Sequence, residues 1–415
     1  MDIKIRLKIL SFLQFFVWGS YLTSFGSYLF VSLKFSGPEI GTIFTTLGLS
    51  SLFMPALLGI VADKYVNSEK LLGVCHFVSA IFLILATYVT NSDQMFLVML
   101  LVAMFYMPTI ALTNSVSYNI LKQYHFDVIK DFPPIRVWGT IGFIVAMWVV
   151  DILGWTISKN QLIVGAFSGV ILSLYSFTLP KCPPSRTSEN KSLSSILGLN
   201  AFVLFKQKKM LIFFCFAMLL GAALQITNMV GQDFLGDFGK VDAYKSSFAV
   251  EHPGILMSIS QISETLFILA IPYFLTRFGI KKVMLMSMVA WVFRFGLFAV
   301  GNPNEGLFLL ILSMVIYGLA FDFFNISGSL FVEKETDSSI RSSAQGLFMM
   351  MTNGFGSIIG AKACGYVVGY FSIDGLKDWT SIWLIFTAYA FILALVFPFV
   401  FKYKHHPVML NEIKH

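Results

Sequence analysis

The chain has 415 residues, 57% of them hydrophobic and only 12% charged, and its mean hydropathy is +0.78. A soluble domain carries nearer a quarter charged residues, so composition excludes that class and indicates a polytopic membrane protein. The net charge of +7 is spread through short loops, which argues against a nucleic-acid partner.

The first residues, MDIKIRLKILSFLQFFVWGS, start charged like a signal peptide. No small-residue cleavage site follows, so the run reads as a retained first helix. Twelve apolar segments follow hydropathy: 7–30, 39–62, 71–90, 95–118, 134–155, 161–180, 210–232, 253–275, 282–300, 306–329, 343–370 and 380–401. Each is near the length that crosses a bilayer. The polar, basic stretch 181–209 separates segments six and seven. The expected organisation is all-α: an N-terminal six-helix bundle (1–180), a cytoplasmic linker (181–209) and a C-terminal six-helix bundle with a short tail (210–415). Within the linker, Ser192 to Phe205 fits an amphipathic helix lying on the membrane.

Basic residues set the orientation. With the N-terminus inside, cytoplasmic loops and tails hold 21 of the 29 Lys and Arg residues, and outer loops hold five. Both termini are therefore expected in the cytoplasm.

Polar residues inside the segments are few and patterned. Segment eight contains SISQISETLFILAIP, with Glu264 near mid-membrane and Gln261 one turn before it. A carboxylate there costs at least ~2.5–3.5 kcal/mol unless it faces a wet or paired interior. Arg136, Thr140 and Phe143 share a face of segment five, and Gln225 and Asn228 share one of segment seven. Tyr317, Phe321, Asp322 and Asn325 interrupt segment ten. One base, two acids, amides and aromatics suit a ligand with a flat ring and several hydroxyls.

Other chemistries lack their residues. Cys75, Cys182, Cys215 and Cys364 have no metal spacing, and the six histidines sit near segment ends or in loops with no HExxH. No Walker glycine loop is present. No metal, cofactor or catalytic residue is expected, and the chain does not read as an enzyme.

Two loops look like copies. Gly59-Ile-Val-Ala-Asp63-Lys64 follows segment two, and Arg277-Phe-Gly279-Ile-Lys281-Lys282 follows segment eight. They resemble the two ends of a motif found at those loops in the major facilitator superfamily, whose fold is two six-helix bundles around a central site. The resemblance implies a gating and structural role for Gly59, Asp63, Lys64, Arg277, Gly279 and Lys281.

The stretches RLKILSFLQFFVWGS, MPALLGIVADK, DFPPIRVWGTIGFIVAMW, LQITNM, SISQISETLFIL and AFDFFNISGS resemble those of the bacterial nucleoside–proton symporters of that superfamily. The likeness runs from residue 1 to about Lys404. It is strongest to the broad-specificity nucleoside permease branch, with xanthosine permeases as near relatives. It implies that Gln225, Asn228, Gln261 and Glu264 hold the ribose and that Arg136, Thr140, Phe143, Tyr317 and Phe321 surround the base. Lys362 does not fit the small-residue character expected at its position.

Plainer roles compete. Tyr317 and other aromatics pack in membrane bundles, and Asn114 and Asn353 fit helix–helix glue. Arg136 also fits a snorkelling anchor after Pro133-Pro134. Arg294 suggests a structural ion pair, and Asp151, near an outer helix end, suggests a solvated acid. Asp322 is the candidate carrier of a coupling proton, with Glu264 the alternative and a pairing of Asp322 with Arg136 a structural third.

The expected function is a proton-driven nucleoside importer of a bacterial inner membrane, working by alternating access as a monomer. Its partners would be nucleoside, proton and lipid bilayer. The rivals are a transporter of another polar solute such as a sugar, and a xanthosine-selective permease. Fold alone does not separate them.

Overall fold

The computed structural model describes residues 2–184, 199–337 and 340–403. The first expected segment is broken. Helix α1 (Ile3–Gly19) ends before a turn at residues 20–24, and α2 (Phe25–Ser27) resumes into a π-helical stretch, Tyr28–Ser32. Hydroxyls explain the break, because they compete for backbone and side-chain partners. Ser20 donates to the Val17 carbonyl at 2.7 Å, and Ser24 donates to Gln161 Oε1 at 2.8 Å.

Four long helices follow: α3 (Gly37–Lys64), α4 (Ser68–Ala86), α5 (Ser92–Gln123) and α6 (Val128–Ile152), then the shorter α7 (Asn160–Ser176). Glu39 caps α3, accepting from the Ser36 N–H and hydroxyl, and Ser92 at the start of α5 donates to the same carboxylate. The later helices are α8 (Lys208–Asp237), α9 (Phe248–Glu251), α10 (Pro253–Val300), α11 (Leu307–Glu335), α12 (Arg341–Met349), α13 (Ser357–Tyr370) and α14 (Trp379–Val400). A π-helical stretch, Met350–Gly356, joins α12 to α13. A hairpin of β1 (Ser372–Ile373) and β2 (Leu376–Lys377) precedes α14.

Among the described residues, eight helices are long and apolar enough to cross a membrane. One of them, α10, is two spans. Gly279 has φ 75° and ψ 165°, a conformation that strains any side chain, and it turns the chain within a single residue. With α10 divided there, the first helix rejoined and α12–α13 read as one run, the described residues are compatible with twelve spans. Outward side chains such as Phe167, Leu174, Leu269, Phe308 and Phe399 are large, apolar and exposed, as a lipid-facing surface requires.

The amphipathic α-helix expected over 192–205 is only partly within the described residues; 192–198 lie outside them. Leu199–Lys206 is a 3₁₀ helix. The start of the linker is fixed to the first unit. Cys182 donates its N–H to Glu69 at 2.8 Å and accepts from the Ser68 N–H at 3.1 Å.

The chain forms two compact units. The first holds the described residues up to 184 with 228–233, and the second holds 199–227 and those from 234. Each unit brings two helices together through glycine. In the first, a Cβ at Gly142 of α6 would overlap the Phe12 carbonyl of α1. In the second, a Cβ at Gly221 of α8 would overlap the Thr352 carbonyl. Small residues allow such backbone approach where lipid offers no hydrophobic drive.

Candidate functional site

In the first unit, α6 presents Arg136, Thr140 and Phe143 on one face, as their spacing predicts. Arg136 and Thr140 are half-buried and Phe143 is 8% exposed. The tight α1–α6 contact makes α1 the opposite wall. Arg136 lies over the Phe15 ring, its Cζ 4.1 Å from the centroid. Phe143 meets Trp18 edge-on at 6.3 Å. Arg136 is thus held against an aromatic ring of α1.

Beneath Trp18 lies a polar cluster that sequence inspection missed. Gln14 is buried; it donates to Thr109 at 2.8 Å, accepts from Thr113 at 2.8 Å and pairs with His76 Nε2 at 2.8 Å. Tyr106 donates to the Gln14 carbonyl and packs against Trp18. His76 is therefore mid-helix and 1% exposed, against the expectation that the histidines sit near segment ends or in loops. The lone Gln14 in an apolar run was the available signal.

In the second unit, Gln225 on α8 is buried. Its Oε1 accepts from Ser357 at 3.0 Å, while its Nε2 has no hydrogen-bond partner among the described residues. Asn228, one turn on, is half-buried and groups with the first unit. On α10, Gln261 and Glu264 are half-buried, and Gln261 Oε1 is a buried acceptor without a partner among the described residues. Gly318 lets α11 approach that turn: a Cβ there would come within 2.7 Å of the Ser263 carbonyl, and Ser263 donates to the Val315 carbonyl.

On α11, Tyr317 is 4% exposed and stacks on Phe321 with centroids 6.1 Å apart and planes 13° apart. Asp322 is 3% exposed, and its Oδ2 has no hydrogen-bond partner among the described residues. A cleft within this unit is lined by Gly221, Trp291, Phe321, Asn325, Thr352 and Asn353, among others. Asn353 is exposed on that wall and lies in the π-helical stretch, not glued between helices.

Two further expectations are corrected. Arg294 is fully buried, and its visible partners are two serines and two aromatic rings in place of the expected ion pair. Asp151 is near a helix end but only 3% exposed, so it is not solvated. Asp233 on α8 is a further buried acid, one that the sequence pattern did not single out. Lys362 is half-buried on α13.

The loop motifs fall at helix ends. Asp63 and Lys64 are exposed at the end of α3, one turn after Gly59. Arg277 donates to the Tyr273 hydroxyl at 2.8 Å, Gly279 makes the turn, and Lys281 donates to the Pro398 carbonyl at 3.0 Å.

Long apolar helices that carry uncommitted polar groups in their interior, on faces backed by aromatics, define a secondary transporter of the major facilitator fold. The chain belongs to the nucleoside H+ symporter family, whose model matches residues 1–406. It is 55% identical over 406 residues to the nucleoside permease NupG of Escherichia coli K12, covering 98% of this chain and 97% of that one. It is 54% identical to the xanthosine permease of the same organism, covering 100% and 99%. A crystal structure of a mutant of the nucleoside transporter NupG superposes with a TM-score of 0.95 at 55% identity, covering 97% of this chain and 100% of that one.

Proposed function

We propose that the protein imports nucleosides across a bacterial inner membrane in symport with protons, by alternating access and without covalent chemistry. The observation that carries this reading is a set of buried polar atoms with no hydrogen-bond partner among the described residues: Gln225 Nε2, Gln261 Oε1 and Asp322 Oδ2. Each costs ~1–3 kcal/mol when left unpaired in a dry interior. Groups kept at that cost are suited to a ligand and a proton.

Gln225, Asn228, Gln261 and Glu264 take the ribose hydroxyls. Arg136, Thr140, Phe143, Tyr317 and Phe321 serve the base, the aromatics by stacking and Arg136 and Thr140 by hydrogen bonding. Asp322 carries the coupling proton, with Glu264 the alternative. Asp63 and the residues about Gly279 act in cytoplasmic gating. The chain is organised as an N-terminal six-helix bundle (1–180), a cytoplasmic linker (181–209) and a C-terminal six-helix bundle (210–415), with both termini cytoplasmic and a monomer as the working form.

A xanthosine-selective permease is a second reading, favoured by the near-equal identity to the xanthosine permease. Radiolabelled uptake of a nucleoside panel into cells lacking their own permeases tests both, with and without an uncoupler. Uptake of several nucleosides that collapses with uncoupler is the expected result. Uptake of xanthosine alone selects the second reading. Inhibition by free sugars and none by nucleosides sinks both.

A further inference from the structure

Arg294 has no place in the proposed site, yet it is buried in the unit that carries most of it. It is 0% exposed, in the second half of α10. A buried cation in a membrane helix is costly, and an aliphatic side chain would pack there at less cost. Its contacts show what an aliphatic side chain could not do.

The guanidinium lies between two rings, its Cζ 4.6 Å from the Phe298 centroid and 4.9 Å from that of Tyr317. Tyr317 stacks in turn on Phe321. Trp291 closes the side of Tyr317, edge-on at 6.1 Å. The result is a column: Phe298, Arg294, Tyr317, Phe321. Its last two members are the aromatics assigned to the base.

The same guanidinium ties the two helices that carry the site. Arg294 Nη1 donates to Ser260 Oγ at 3.1 Å and to the Ser313 carbonyl at 2.9 Å. Ser313 Oγ donates back to the Arg294 carbonyl at 2.7 Å. Ser260 is the residue before Gln261 and one turn before Glu264. Ser313 is one turn before Tyr317. Arg294 Nε and Nη2 have no hydrogen-bond partner among the described residues, so two rings and two serines set its place.

We propose that Arg294 is a positioning residue for the nucleoside site. It sets the plane of Tyr317 and, through the stack, of Phe321. It also holds the turn bearing Gln261 and Glu264 in register with the turn bearing Tyr317. It governs how tightly the nucleoside is held without touching it. A single nitrogen, Nη1, reaches both helices while the delocalised guanidinium lies against two rings, and an ammonium offers no planar group for those rings to pack on. The proposal rests on the base-binding role given above to Tyr317 and Phe321.

The test uses purified full-length protein in detergent, with uridine binding by calorimetry and thermal melting read side by side. Arg294→Lys and Arg294→Gln are expected to weaken uridine binding at least tenfold. Phe321→Ala should weaken binding in the native background and add little on top of Arg294→Gln, because coupled residues are non-additive. Ser260→Ala keeps the cation and removes one tether, so it reads the same role without risking the fold; about threefold weakening is expected. Native affinity in the Arg294 variants, with only the melting temperature lowered, would make Arg294 purely structural and overturn the proposal. If the Arg294 variants do not fold, native affinity in Ser260→Ala overturns it instead. Native affinity in Phe321→Ala alone would remove the base site itself, and the proposal with it.

Discussion

The indole of Trp18 meets the ring of Phe143 edge-on, with centroids 6.3 Å apart and planes at 88°. The contact exists because α1 and α6 touch through Gly19 and Gly142. It holds one edge of Phe143 against α1. Phe143→Tyr should be tolerated, because the ring and its backing survive. Phe143→Ala should weaken nucleoside binding about tenfold or more, on a stacking scale of ~1–3 kcal/mol borrowed from base–aromatic contacts. Equilibrium binding decides it; normal affinity with lowered melting temperature would assign Phe143 to packing.

Asp322→Asn keeps the shape and hydrogen-bonding capacity of the side chain but cannot titrate. It should abolish proton-driven accumulation while leaving nucleoside exchange measurable in counterflow. Accumulation in this variant that still collapses with uncoupler would move the proton to Glu264.

Arg136→Lys separates a planar donor from a simple anchor. The guanidinium lies over Phe15, with Cζ 4.1 Å from the ring centre. An ammonium keeps the charge and loses the fork. Uptake should fall about tenfold at equal membrane expression; wild-type uptake would restore the anchor reading.

Gly142→Val would push a branched side chain into the Phe12 backbone, and neither helix can yield cheaply. Overpacking of this kind costs about 1–3 kcal/mol or more. The detergent melting temperature should drop clearly. Gly346→Ala, with nothing within 4 Å of the added Cβ, is the control and should not change it.

Cys182 gives a pH test outside the membrane. Burial first, and the Glu69 carboxylate second, push its thiol up to about 12. The thiolate is the reactive species. In a variant with the other three cysteines replaced by Ala, maleimide labelling should rise about tenfold per pH unit from pH 8 to 10. An ordinary thiol would level off near its reference value of about 8.5. Labelling that levels off near pH 9 would contradict the buried placement.

Much of this architecture is legible in the sequence. Hydropathy locates the spans because a membrane helix must be apolar over its whole length. Helical spacing groups Arg136, Thr140 and Phe143, and Gln261 with Glu264, because side chains three, four or seven apart share a face. The pattern fails where tertiary contacts decide. The break at residues 20–24 depends on Ser24 finding Gln161, 137 residues away. The burial of His76 depends on Gln14 and that of Arg294 on Ser260 and Ser313, and no local period encodes such pairings. The placement of Asn353 on a cleft wall follows from a π-helical stretch, which shifts the helical register that spacing arguments assume.

The single-residue turn at Gly279 has a mechanical meaning. A connection that short has no slack, so the two halves of α10 are joined like a folded strip with a stiff crease. Arg294 and Ser260 fasten the limbs again across the membrane interior. A hairpin braced at both places resists splaying, and the limb bearing Gln261 and Glu264 is tied to its neighbour. In the proposed transport cycle, a stroke that carries Gln261 and Glu264 carries Arg294 and its rings with them, which makes the hairpin rather than the single helix the unit of motion.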